Sequence, residues 1–316
     1  MTIRVRRLAG NPILRPEMDA RMGQNLNGPS LIRVPDWVSD RLGHYYLYFA
    51  DHKGSYIRLA FADAIEGPWS VHAPGTLQLE QSLFPTTREA LTHGHEKLER
   101  LHEAGGLYCH VASPDVHVDD ERREIRMYYH GWHEDLTQCT RLALSHDGLG
   151  FEARPEVLAP SYLRVFRRDD WHYAMAMPGV FLRSKDGLGG FETGPQLFPD
   201  EMRHAGLLVR GDELLVFWTR VGDAPEHVLL SSVDLSPDWH RWRASDAASV
   251  LRPEEPWEGS ELALAPSVRG LAPEPVRQLR DPAVFEEDGR TWLLYSVAGE
   301  RGIALAELEL DLRRDF

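Results

Sequence analysis

Short runs of alternating or aromatic-rich residues recur along the chain in a fixed order. GPSLIRV (28–34) is followed by HYYLYFADH (44–52) and then by IRLAFADAIEGPW (57–69). The order returns at SPDVHV (113–118), IRMYYHGWH (125–133) and TRLALSHDGLGFE (140–152). A third copy is SYLRVF (161–166), WHYAMAM (171–177) and GVFLRSKDGLGGFE (179–192). A fourth is RHAGLLV (203–209), ELLVFWTRVGD (213–223) and HVLLSSVDL (227–235), and a fifth is RDPAVFEEDGR (280–290), TWLLYSVAGE (291–300) and GIALAELEL (302–310). Gly, Asp and Pro mark the turns, and the matching segments HDGLGFE and KDGLGGFE fix the register between copies two and three.

Five copies of a three- to four-stranded unit predict an all-β chain folded as a five-bladed β-propeller, in which radial repetition protects the sheet edges. The whole chain, 1–316, reads as one domain with blades near 27–74, 111–155, 159–195, 202–242 and 279–310, and Ile3–Leu8 is the candidate to complete the last blade. Two insertions interrupt the period. TREALTHGHEKLERLHEAGG within 75–110 predicts a helix between blades 1 and 2, and 243–279, rich in Pro, Glu and Ala, reads as a long loop. Both are placed to line the mouth of the central funnel.

Composition narrows the partners. Hydrophobic residues are 42% and charged residues 27% of the chain, enough for a large core. Against 49 acidic residues stand 35 basic ones, a net charge of −14, which argues against nucleic acid or an acidic membrane face as partner. No run reaches the ~20 apolar residues of a membrane span. The N-terminal MTIRVRRLAGNPIL has no apolar run followed by a small-residue cleavage site, so the expectation is a cytoplasmic protein without a signal peptide. Cys109 and Cys139 read as reduced thiols, not as a disulfide framework. Phosphate-binding glycine loops and nucleophile elbows are absent.

The repeats, together with SPDVHV and RDPAVFEEDGRTWLLYS, resemble the five-bladed propeller glycoside hydrolases: the family-43 arabinanases, β-xylosidases and arabinofuranosidases and, more distantly, invertases and levansucrases. The resemblance covers nearly the whole chain. It implies a glycosidase acting on a small carbohydrate, with a calcium or sodium ion on the channel axis compatible with the group and no other cofactor. It also implies three carboxylates that this chain lacks. Where the resembled family has an Asp-Pro base, a second Asp and a Glu acid on inner strands one, three and four, this sequence has Asn27-Gly28-Pro29, Ser161-Tyr162-Leu163-Arg164 and Arg203-His204-Ala205.

In a propeller the inner strands line the channel. Their polar positions are Asn27, Asp115, His117, Tyr162, Arg164, Arg203, His204, Arg280 and Asp281, and the ends of the second strands add Asp51, His52, His130, Arg220, Asp223 and Glu300. Asp115 and Asp281 are the candidate catalytic carboxylates and His204 the candidate acid; the others are candidate substrate-binding residues. Arg164, Arg203 and Arg280 suit a carboxylated sugar. With His204 and Tyr162 they also supply the parts of an elimination from a uronate, which keeps a lyase open beside the hydrolase, and a non-catalytic sugar-binding propeller is the third reading. No metal site is predicted: His93 and His95 point to different faces of the expected helix, and His130 and His133 to opposite sides of a strand. A stacking ring for sugar is sought at Trp132, Trp218 or Trp257.

Overall fold

The computed structural model describes residues 2–91 and 108–311. Its elements are β1 (Thr2–Arg7), then β2 (Asn27–Arg33), β3 (Tyr45–Ala50), β4 (Tyr56–Ala62) and β5 (Ser70–Gln78). β6 (Val111–Asp119), β7 (Glu124–Trp132) and β8 (Gln138–Ser145) follow, with the short β9 (Glu152–Ala153) and β10 (Ala159–Pro160) both paired to β8. The third sheet is β11 (Arg164–Arg168), β12 (Trp171–Ala176), β13 (Val180–Ser184) and β14 (Glu192–Gln196). The fourth is β15 (Met202–Arg210), β16 (Glu213–Arg220), β17 (Val228–Asp234) and β18 (Ala248–Leu251). The fifth is β19 (Arg280–Glu287), β20 (Arg290–Ser296) and β21 (Ile303–Asp311), completed by β1.

The result is a five-bladed propeller with antiparallel blades. Its inner strands β2, β6, β11, β15 and β19 touch their neighbours around the axis. Alternation along β3 shows how the sequence builds it: Tyr46 and Tyr48 pack toward blade 2, while Tyr45, Leu47 and Phe49 pack toward blade 5. Both faces of the strand are therefore buried, and the run reads as continuously apolar. Each of the five large apolar clusters fills one seam between consecutive blades, and the last joins blade 5 to blade 1. Close approach of the inner strands explains two glycines. A Cβ on Gly28 would lie 2.9 Å from the Ser113 Cα, and one on Gly206 would lie 2.9 Å from the Ala283 Cα.

Two expectations change. The segment 243–279 is not loop throughout: Ala248–Leu251 is the outer strand of blade 4, paired with β17, and Pro256–Glu258 is a 3-10 turn. The helix expected over 86–106 lies mostly outside the described residues; its described start carries a single 3-10 turn, Arg88–Ala90. Both cysteines are free thiols.

Closure rests on β1, which pairs antiparallel with β21 from Thr2↔Asp311 to Arg7↔Ala306, while Ile3 and Val5 pack on the cluster between blades 4 and 5. Removing residues 1–8 leaves β21 as a bare edge and uncovers that cluster. We expect a loss of about 3 kcal/mol, a fall of roughly 5–10 °C in the thermal midpoint, and concentration-dependent association through the exposed edge. An unchanged midpoint and a monomeric truncated chain would show that blade 5 does not need its fourth strand.

Candidate active site

The inner strands do not run straight into the channel. Each of β2, β6, β15 and β19 breaks register near its start, between Asn27 and Ser30, Ala112 and Asp115, Met202 and Ala205, and Arg280 and Ala283. At these breaks Gly28, Ser113 and Asp281 have φ of 57°, 51° and 49°, and Tyr162, just before β11, has 65°. Left-handed backbone at a non-glycine residue is strained by about 1–3 kcal/mol. Here left-handed backbone recurs at equivalent places of four blades, at non-glycine residues in three of them, and Ser113 and Tyr162 face one mouth of the propeller.

That mouth holds a cavity of about 420 Å³. It is lined by Asn27, His52, His130, Tyr162, Arg203 and His204 among the residues expected from the sequence, and also by Tyr108, His110, Ser113, Trp132, Met177 and Arg269. Of the three tryptophans considered for stacking, Trp132 lies on this wall. Trp218 is buried between blades 3 and 4, and Trp257 packs on the cluster between blades 4 and 5.

Two histidines have carboxylates behind them. The His52 Nδ1 lies 2.9 Å from Glu300 Oε2, a fully buried oxygen that also accepts from the Asn25 amide. A proton on Nδ1 serves Glu300 and leaves Nε2 as an acceptor; without that proton, Nδ1 itself accepts from the Asn27 amide. Asn27 closes the group, its Nδ2 2.8 Å from the same ring nitrogen and 2.9 Å from Asn25 Oδ1. Glu300 is further held by the Arg280 guanidinium at 3.0 Å. Burial alone would raise the Glu300 carboxyl, but His52 and Arg280 outweigh it and keep the group ionised, well below the usual carboxylate range.

His204 is set the other way. The Asp281 backbone N–H donates to its Nδ1 at 3.2 Å, so the neutral ring carries its proton on Nε2. Burial, with Arg203 and Arg280 nearby, holds the imidazole well below its ordinary range and therefore neutral. The Tyr162 hydroxyl donates to Asp281 Oδ1, and the Tyr162 ring stacks on His204 with centroids 4.8 Å apart. Burial and then the charge of Glu300 push the Asp281 carboxyl above the usual range. The ring ladder continues through His130, 5.2 Å from Tyr162, to His110, 5.6 Å from His130. Burial lowers both these histidines too, His110 to about 4. Among the described residues the buried atoms Asn27 Oδ1, His130 Nδ1 and Trp132 Nε1 have no protein partner.

Other expected site residues lie elsewhere. Asp115, expected to join His204 and Asp281, lines a separate cavity of about 200 Å³ together with His117 and Arg164. Its Oδ2 accepts from His117 Nε2 at 2.7 Å and from the Val165 N–H at 2.8 Å. The reason is the bulge: Ser113, the residue before Pro114, faces the first cavity, and by the register breaks Ser113, not Asp115, is the counterpart of Asp281. Asp51 sits 3.5 Å from the Arg58 guanidinium, and Arg220 pairs with Asp223 at 3.3 Å; none of these lines the 420 Å³ cavity.

The three arginines expected to hold an anionic sugar are committed to the protein. Arg164 donates to the carbonyls of Ser113, Pro114, Leu163 and Ala205, on blades 2, 3 and 4. Arg203 bonds Glu226 and the carbonyls of Val268 and Gly270. Arg280 bonds Glu300, Gln278 and Gly270. An axial calcium or sodium ion does not suit these residues, because the Arg164 guanidinium already serves the inner-strand carbonyls. Among the described residues no group of three or more His, Cys, Asp or Glu is arranged to hold a metal ion.

No protein-family profile matches the chain. In structure it is similar to CoXyl43, a β-xylosidase/α-arabinofuranosidase from a compost microbial metagenome, with TM-score 0.61 and 12% identity over 98% of this chain and 96% of that one. It is also similar to an α-L-arabinanase mutant of Cellvibrio cellulosa, with TM-score 0.58 and 11% identity over 91% and 93% of the two chains. In sequence it is 34% identical over 310 residues to "Uncharacterized protein R118" of Acanthamoeba polyphaga mimivirus, covering 90% of this chain and 83% of the viral one. The chain therefore belongs to one family with this mimivirus protein and carries the five-bladed propeller fold of the family-43 glycoside hydrolases.

Proposed function

We propose that the chain is a glycosidase-like enzyme that cleaves a glycosidic bond in the 420 Å³ cavity with an imidazole-centred acid–base set instead of a carboxylate pair. The observation that carries this reading is the pair of supported histidines on one cavity: His52, with Glu300 behind Nδ1, offers an acceptor when Nδ1 bears the proton, and His204, fixed by the Asp281 N–H, offers a donor. Glycoside hydrolysis needs a group that takes a proton from water and one that protonates the leaving oxygen. In this reading His52 Nε2 takes the water's proton, and the imidazolium so formed is stabilised by Glu300. The water oxygen bonds the anomeric carbon as the glycosidic bond breaks, and the leaving oxygen receives the Tyr162 hydroxyl proton as Asp281, starting as the carboxylic acid, passes its own proton to Tyr162, while the His204 Nε2–H hydrogen-bonds the departing oxygen. Asn27 Oδ1, His130 Nδ1 and Trp132 Nε1 are available to sugar hydroxyls. The propeller likeness to CoXyl43 supports a carbohydrate as substrate.

Elimination is the second reading, favoured by one observation: among the described residues no carboxylate lines the cavity. There His52 would take a ring C–H proton and Tyr162 protonate the leaving oxygen.

The test is a screen of purified protein against neutral and uronate-containing oligosaccharides, following reducing ends and ultraviolet absorbance together. Reducing ends without absorbance are expected, with His52→Ala and Tyr162→Phe each lowering kcat by roughly 10²–10⁴-fold and Asp115→Asn leaving it unchanged. Absorbance from an unsaturated uronide would replace hydrolysis by elimination. Full activity in His52→Ala would remove the imidazole mechanism, and silence on every substrate would favour a binding propeller.

The neutral imidazoles make a second prediction. His110, His130 and His204 have folded pKa values below the unfolded 6.5, so below that pH the unfolded chain binds more protons. Their stabilising contribution is intact above pH 6.5 and is lost as pH falls, for His110 toward about 4. A shift of that size is worth about 3 kcal/mol for His110. Urea midpoints should drop between pH 7 and 4.5, and drop less in His110→Gln. Equal losses in the two proteins would mean that His110 does not resist protonation.

A further inference from the structure

Arginine is the side chain best suited to oxyanions, and Arg164, Arg203 and Arg280 on the inner strands are each held by buried carbonyls or carboxylates. Arg269 differs. It sits on the exposed rim of the cavity, in the loop that follows β18, and lines the cavity wall. The loop is held from beneath: Arg203 donates to the carbonyls of Val268 and Gly270, which flank Arg269, and Arg280 also donates to Gly270. Ser267, two residues earlier, is tied to β16 and the turn beyond it through Gly222 and Asp223. The Arg269 backbone is thus clamped on both sides by buried guanidinium groups.

The Arg269 side chain makes two contacts, one Nη donating to the Asp200 carbonyl at 2.7 Å and the other lying 3.7 Å from the Met177 sulfur. Among the described residues no carboxylate lies within ion-pair distance of it, although the chain as a whole carries a charge of −14. Two of its five N–H donors are engaged, both with uncharged partners. Among the described residues the charged groups lining the cavity are Arg203, which Glu226 pairs at 3.3 Å, and Arg269, so the charge a ligand meets here without a paired carboxylate is that of Arg269.

We propose that Arg269 reads an oxyanion on the sugar, so that the cavity takes a carboxylated or phosphorylated sugar in preference to a neutral one. This deepens the reading of the cavity as a sugar site and depends on it. The preference would come from a rim residue whose position is set by Arg203 and Arg280, and those two arginines would act as positioning residues for it.

Binding, not turnover, is the measurement, so that a failure of the catalytic mechanism stays separate. Protein-observed NMR titrations at low salt would compare glucuronate, glucose 6-phosphate and glucose against the wild-type chain, Arg269→Ala, Arg269→Lys and His52→Ala. The anionic sugars are expected to bind at least roughly tenfold more tightly than glucose, with the stronger of the two naming the oxyanion. Arg269→Ala should bring all three sugars to parity, Arg269→Lys should keep part of the preference, and added salt should weaken only the anions. His52→Ala should keep the preference even where it abolishes turnover. Glucose binding as tightly as both anions, a preference that survives Arg269→Ala, or no binding of either anion would each overturn the proposal.

Discussion

One buried guanidinium holds the centre of the molecule together. Arg164 reaches across the channel from blade 3 and donates to carbonyls on blades 2 and 4 as well as its own, while Asp115 balances its charge from the neighbouring strand. Inner strands of a propeller crowd their backbone carbonyls around the axis, where neither a sheet partner nor bulk water reaches them, and unpaired buried carbonyls are expensive. A side chain that donates to four of them removes that penalty and ties three blades to one group. It also divides the channel: Asp115 and His117 are left on one side, and His204 and Tyr162 line the other mouth with Asp281 bonded behind them. Losing the guanidinium would strand several carbonyls and the Asp115 charge together, a far larger defect than one missing hydrogen bond.

Above this point the site is built from charge balance. Arg203 and Arg280 share Glu226, Arg280 also holds Glu300, and Glu300 holds His52. Each of these groups is almost entirely buried except His52, whose side chain is 20% exposed. Buried ion pairs contribute little net stability, because desolvation offsets the attraction, but they fix geometry strongly. Here they fix where the His52 ring and the rim loop lie. The same field keeps His204 neutral: two guanidinium groups near a buried imidazole oppose a third positive charge.

Much of this was legible in the chain and some was not, for definite reasons. Strand alternation and the Asp-Gly turns carry the blade repeat, and residues 3–8 of the sequence show the period of a strand, which the pairing of β1 with β21 accounts for. His204, Tyr162 and Asp281 could be placed because they open inner strands. Asp115 misled because counting along a strand assumes constant alternation, and the bulge before Asp115 inserts residues that shift the facing side. Arg164, Arg203 and Arg280 misled because sequence shows a donor but not the carbonyls that satisfy it. Tyr108 and Arg269 lie in segments without periodicity, where no pattern marks a residue for the cavity. β18 was hidden because a four-residue outer strand, mostly exposed, carries no alternating signal.

The positions that depart from the resembled family are connected. Gly28 stands where the Asp of the Asp-Pro pair would be, and beside it the neutral amide of Asn27 donates to Asn25 next to His52 and the buried Glu300. A carboxylate at 204 would face Asp281, which burial and Glu300 already disfavour in its ionised form. With one buried acidic cluster fixed behind the wall by Arg280, groups in front of it are easiest to accommodate when neutral, and imidazole, phenol and amide are the neutral side chains that still exchange or share protons. His52, Tyr162 and His204 in front of Glu300 and Asp281 thus read as a single electrostatic solution, in which the negative charge lies one layer behind a cavity wall that is neutral to positive.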